Sequence, residues 1–178
     1  MSAISLMLRV SLESADQVVP LRDEISLLQR YLEIEQIRFK DRLTVRIDIA
    51  PEALDAEVPT LALQPLVENA IRHGISQKPG VGRVDVRARA EDGRLVLEVQ
   101  DTGPGFTPGA PPVGSGIGIA NTRARLEQLY AAEQTLTFEN APEGGALVRI
   151  TMPLRPVAGD VVTDRDRRDD LLQASRSA

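Results

Sequence analysis

The hydrophobic period of this 178-residue chain changes between residues 40 and 43, and that change limits it to a helical part followed by a strand-bearing part. Before the change, Leu21, Ile25, Leu28, Leu32 and Phe39 recur at spacings of four and three, with Glu35 in the one slot where an apolar residue belongs. Residues 20–40 are therefore predicted as one long helix with Pro20 in its first turn. Leu27, Tyr31 and Ile34 run along a neighbouring face. A helix apolar on two faces usually packs on two partners, such as a helical hairpin and a second subunit or domain, and on pattern alone a plain core helix of one globule accounts for it equally well. Residues 3–13, with Ile4, Leu6, Met7, Leu8, Val10 and Leu12, are predicted as a shorter helix that needs a neighbour, and 14–19 as a linker. After the change, Leu43, Val45, Ile47 and Ile49 alternate with Thr44, Arg46 and Asp48, the pattern of a strand.

Residues 51–59 are predicted as a loop, and residues 64–74 as an amphipathic helix whose core face is Leu63, Leu66, Val67, Ala70 and Ile71. Gly74 is placed as its C-cap. The other face gathers Asn69, Arg72 and His73, with Glu68 at the edge of the apolar stripe. Such a set is costly to bury without a partner, so something polar should meet it. Strands are expected at 83–90 and 95–99 around the hairpin signal Asp92-Gly93, a helix at 121–132, and strands at 136–138 and 146–154 around Pro142-Glu143-Gly144-Gly145. The rest, rich in Asp and Arg, reads as a mobile tail.

Two glycine clusters carry the chemistry. Asp101 ends a strand and is followed by Gly103 and Gly105, an arrangement suited to accepting a hydrogen bond from an amino group held flat against the loop, such as that of adenine. Taken alone, an Asp-x-Gly is more often an ordinary turn. Gly114, Gly116 and Gly118 precede a helix, where free N–H groups suit an anion. The sequence has neither the Gly-Lys-Ser/Thr ending of a P-loop nor a strand directly before these glycines, so both common phosphate loops are excluded. A nucleotide between the Asn69 helix and the two glycine loops accounts for all three features. The Asn69 oxygen suits magnesium, which takes few protein ligands beside phosphates and water.

Composition removes other classes. The net charge of -5 and 3% aromatic content disfavour a nucleic-acid surface. The absence of cysteine excludes disulfides, thiolate metal sites and thiol catalysis, and fits a cytoplasmic chain. No apolar run approaches a membrane span, so membrane attachment is expected only through a region preceding this sequence.

In order and spacing, Glu68-Asn69-Ala70-Ile71-Arg72-His73-Gly74, Asp101-Thr102-Gly103-Pro104-Gly105 and Gly114-Ser115-Gly116-Ile117-Gly118-Ile119-Ala120-Asn121 resemble the N, G1 and G2 boxes of the GHKL ATPases. Tyr31-Leu32-Glu33-Ile34-Glu35 with Arg38-Phe39, Gln64-Pro65-Leu66, and Asn121 with Arg123, Arg125 and Leu126 resemble the LytS-type sensor histidine kinases within them. The resemblance implies an α+β Bergerat fold, a two-layer sandwich of a mixed sheet with helices on one face, preceded by part of a helical dimerisation hairpin. It divides the chain into 1–41, the hairpin region, 42–156, the ATP-binding catalytic domain, and 157–178, the tail.

By position, the resemblance implies Asn69 for magnesium, Asp101 for the adenine amino group, Gly103 and Gly105 for the adenine pocket, and Gly114, Gly116 and Gly118 with Arg72 and His73 for phosphate. Glu68 matches the residue that activates water in ATP-hydrolysing relatives. The implied cofactors are ATP and Mg2+, and the implied partners a helix carrying a phosphoacceptor histidine, a response regulator and a second copy of the kinase. Two departures stand out. The sequence has one histidine, His73, so the acceptor is expected upstream and autophosphorylation is not expected of this stretch. Ala146 stands where the family has a Thr supporting the adenine-binding Asp, which implies weaker nucleotide binding. The alternatives are an ATP-hydrolysing clamp of the gyrase or MutL kind and a non-catalytic nucleotide-binding module.

Overall fold

The computed structural model describes residues 17–77, 79–107 and 117–157. The helix expected at 3–13, Gly114, Gly116 and nearly all of the charged tail lie outside the described residues. Helix α1 (Leu21–Phe39) follows the pattern read from its sequence, with Leu21, Ile25, Leu28 and Leu32 buried and Pro20 just ahead of it as N-cap. On its second stripe Leu27 and Tyr31 are half-buried, while Ile34 and, further along, Ile37 are exposed.

The linker and the loop on either side of this part of the chain hold structure that the sequence pattern does not show. Strand β1 (Val18–Pro20) pairs antiparallel with β3 (Glu57–Pro59), Val19 opposite Val58. The Leu21 N–H donates to Ala56 O and the Arg22 N–H to Leu54 O, so this loop also receives the first turn of α1. Three-residue strands are too short to show alternation. Residues 155–157, expected to begin the tail, lie along the same loop: the Glu57 N–H donates to Arg155 O and the Val157 N–H to Asp55 O.

The main sheet has the order β2-β4-β5-β7-β6, formed by Leu43–Ile49, Gly82–Glu91, Arg94–Asp101, Ala146–Pro153 and Thr135–Asn140. β2 and β4 are parallel and the other pairs antiparallel. Asp92 and Gly93 both take positive φ, which closes the two-residue hairpin between β4 and β5. Alternation sorts the faces: Leu95, Leu97, Val99 and Asp101 of β5 point inward with Val148, Ile150 and Met152 of β7. The open face is charged, with Arg89 on Asp48 at 2.6 Å and Arg149 on Glu98 at 2.8 Å.

Against the inner face lie α2 (Gln64–Asn69), which runs on as a π-helical turn (Ala70–Ile75), and α3 (Ile117–Tyr130). Leu66, Val67, Ile71 and Ile75 join Leu28, Leu97, Val99, Leu126 and Ile150 in one core. Two expectations are corrected here. α3 begins four residues earlier than its sequence pattern suggests, with Gly118 in its first turn, where a Cβ would sit 3.2 Å from Pro65 Cβ. The helix holding Asn69 does not stop at Gly74. It widens into the π turn and closes at Ser76, whose N–H and hydroxyl both donate to Ile71 O. Among the described residues no helix is long and apolar enough to cross a membrane.

Candidate functional site

Asp101, the last residue of β5, is 4% exposed. Its Oδ1 accepts the N–H of Gly103 at 2.7 Å and that of Ala146 at 3.4 Å. Its Oδ2 takes no hydrogen bond among the described residues. Burial pushes the carboxyl above its ordinary pKa, against the pull of the two N–H donors. The side chain that differs from the family pattern, Ala146, thus still supports Asp101 through its backbone.

The glycines around Asp101 are required first by the protein itself. A Cβ on Gly74 would lie 2.6 Å from Asp101 Cγ, and one on Gly103 would lie 2.4 Å from Gly74 Cα. The π turn, the G1 loop and the carboxylate therefore interlock through two missing side chains. This, and not helix capping, is what Gly74 does. Gly105 and Gly145 take positive φ, and a Cβ on Gly145 would fall 1.9 Å from Asp101 O. In sequence Gly145 reads only as part of a turn.

Asn69, Glu68 and His73 are half-buried and Arg72 is exposed, all on the helix that packs against the end of β5. Glu68 accepts a hydrogen bond from Gln64 Nε2 at 2.8 Å. The structure packs this helix against the Asp101 loop, with Gly118 of α3 against Pro65 beside it. Two further residues escape the sequence reading. Asn140 binds both backbone polar groups of Phe106, accepting its N–H at 2.6 Å and donating to its carbonyl at 3.1 Å, and so anchors the start of the loop after Gly105. Phe106 then meets Phe138 edge to face, ring centroids 6.0 Å apart. Glu24 of α1, 3% exposed, reaches the N-terminal end of α2. Its only signal in the sequence is a charge set on the apolar stripe between Leu21 and Leu28.

Residues 55–156 match the family model described as histidine kinase-, DNA gyrase B- and HSP90-like ATPase. The chain belongs to this ATPase family. Residues 1–43 match a second model, described as histidine kinase. It is 34% identical over 155 residues to the sensor histidine kinase BtsS of Escherichia coli K12, covering 87% of this chain and 27% of that protein. It is 33% identical over 165 residues to the sensor protein LytS of Oceanobacillus iheyensis, covering 85% of this chain and 28% of the relative. The chain thus spans about a quarter of the length of these relatives. The histidine kinase domain of the Erythrobacter litoralis EL346 blue-light activated kinase has the same fold, with a TM-score of 0.59 at 22% identity over 79% of this chain and 65% of that one. So does the mycobacterial sensor histidine kinase MprB, with 0.56 at 22% over 80% of this chain and 100% of that one. The mixed sheet with helices on one face is the α+β Bergerat fold.

Proposed function

We propose that this chain binds Mg-ATP between the Asn69 helix and the Asp101 loop, and that it passes the γ-phosphoryl to a histidine outside these 178 residues. The observation that carries the reading is Asp101. Its Oδ1 is held by two backbone donors, its Oδ2 is left for a ligand, and the pocket wall beside it is closed by Gly74 and Gly103. A buried acceptor with one oxygen spent and one unspent suits the amino group of adenine. Gly103 and Gly105 shape the base pocket. Arg72 and His73, on the open side of the helix, take phosphate oxygens together with Gly114, Gly116 and Gly118.

Asn69 offers an amide oxygen beside the phosphate positions, a donor set that fits a hard cation held mainly by phosphate and water. Among the described residues no group of three or more acidic, His or Cys side chains forms a metal cage. Magnesium, when bound, neutralises phosphate charge. In the transfer, the bond from the γ-phosphorus to the bridging oxygen breaks, ADP leaves, and a bond to the acceptor imidazole nitrogen forms. Glu68, steadied by Gln64, takes the proton that the imidazole gives up.

The sole histidine, His73, serves binding, so this stretch alone has nothing to phosphorylate. We infer that 1–41 is part of a dimerisation hairpin, 42–156 the catalytic domain and 157–178 a tail. The parent would act as a homodimer in the cytoplasm and phosphorylate a response regulator. The test is a thermal shift with ATP and magnesium, followed by supply of a separate helix bearing the acceptor histidine. Stabilisation by Mg-ATP, negligible turnover alone and labelling of the supplied histidine are expected. No stabilisation, or brisk hydrolysis without an acceptor, overturns the kinase reading.

A further inference from the structure

We infer that Glu24 of α1 is a positioning residue for magnesium-dependent nucleotide binding: it holds the N-terminal end of the helix that carries Asn69. The inference rests on the reading of Asn69 given above.

Glu24 lies within the apolar stripe of α1, between Leu21 and Leu28, and is almost fully buried. A carboxylate in that position has to be matched by donors. It is matched by backbone: the Leu61 N–H donates to Oε1 at 2.6 Å and the Leu63 N–H to Oε2 at 3.3 Å. Leu63 is the N-cap of α2, and no side chain of its own caps it. A residue on another helix therefore satisfies amides that capping would otherwise serve. Leu61 has a φ of 59°, a left-handed conformation that a branched side chain adopts only under constraint, and the bond from its N–H to Glu24 supplies one.

The same turn is gripped from the other side. Arg125 of α3 donates to the Thr60 carbonyl; burial raises the Glu24 carboxyl above its ordinary pKa, against the pull of the backbone amides of this turn and, least, of Arg125. From Leu63 the helix runs six residues to Asn69, a rod of about 9 Å with no break before it. A shift of α1 against this turn is thus passed to Asn69. Asp101 stands on β5, held by Gly103 and Ala146 of its own sheet region, and does not depend on Glu24 for its donors. Gly74, on the continuation of the Asn69 helix, packs on the Asp101 carboxylate, so the two halves touch there, but only the Asn69 half takes its anchoring bonds from α1.

The experiment uses the full chain and compares AMPPNP binding with and without magnesium by calorimetry in the parent, Glu24→Gln, Arg22→Ala and Asn69→Ala. Gln keeps the shape, but one end of its amide is a donor facing a donor. Glu24→Gln should remove the magnesium-dependent gain, about tenfold, while magnesium-free binding stays within about twofold. Arg22→Ala breaks the exposed ion pair with Asp55, a contact of the same helix that does not touch α2, and should leave both affinities unchanged. Equal loss with and without magnesium in Glu24→Gln would mean a merely structural role and overturns the inference. So does a retained magnesium gain when Asn69→Ala has lost it. If Asn69→Ala also keeps the gain, the Asn69 reading itself fails. Hydrogen exchange on the parent gives an independent check should Glu24→Gln not fold. Magnesium with AMPPNP should slow exchange of the Leu61 and Leu63 amides, AMPPNP alone should not, and no difference overturns the inference.

Discussion

The two parts of the candidate site, the Asp101 loop and the Asn69 helix, are held in place by different means. The Asp101 wall is close-packed: Gly74, from the continuation of the Asn69 helix, sits on the carboxylate, Gly103 on Gly74, and Gly145 on the Asp101 carbonyl, with no room for a single methyl group between them. The Asn69 wall is a helix whose start is held by one carboxylate from α1 and one guanidinium from α3. Close-packed contacts of the first kind resist displacement in any direction. Contacts of the second kind can move as a unit when the helix that supplies them moves. The half that would recognise a base is close-packed, and the half that would present phosphate is tied to α1.

That contrast can be broken from either side. Asp101→Ala should abolish nucleotide binding, a loss of more than about a hundredfold in calorimetry, because it removes a charged acceptor from a buried pocket. Retained affinity would remove the adenine wall from the site. Gly103→Ala should distort the same wall without touching the acceptor. Forced overpacking against backbone costs about 1–3 kcal/mol or more, and about 2–4 °C of Tm per kcal/mol is expected in a thermal melt. Asn69→Ala should spare stability and magnesium-free binding and lose only the magnesium-dependent part, about tenfold. Loss of both parts would mean that the two walls are not separable.

The smallest effect concerns pH. Burial raises the Asp101 carboxyl above its ordinary value of 3.8, so between that value and the raised one the folded chain holds a proton that the unfolded chain has released. Stability from this group is therefore present at low pH and lost as pH rises through the window. Nucleotide affinity should run the other way, increasing with pH, because the adenine amino group needs the ionised acceptor. Asp101→Asn should remove the slope in stability and melt at or above the parent Tm at neutral pH while binding nucleotide weakly. A lower Tm at neutral pH would contradict the account.

Much of the fold and of the candidate site is legible in the amino-acid sequence. Strands β2, β4, β5 and β7 declare themselves by alternation, α1 by its four-and-three spacing, and the Asp92-Gly93 hairpin by residues that tolerate positive φ. What stays hidden there has a common cause. The β1–β3 pair is three residues long on each side, too short for a period. Glu24 looks like a polar residue on an apolar stripe until the amides of residues 61 and 63, nearly forty positions away, are set beside it. Asn140 carries no signal of its own until Phe106 is placed against it.

From the sequence alone came the kinds of elements, their order, and the candidate residues for a nucleotide, because period and residue chemistry are properties of a segment by itself. Only the tertiary structure decided what each glycine is for and what fixes the Asn69 helix. A missing Cβ or a buried charge gains its meaning from the atom opposite, and that atom lies on another part of the chain. Gly74 shows the difference: in sequence it ends a helix, and in the fold it is the surface on which Asp101 rests.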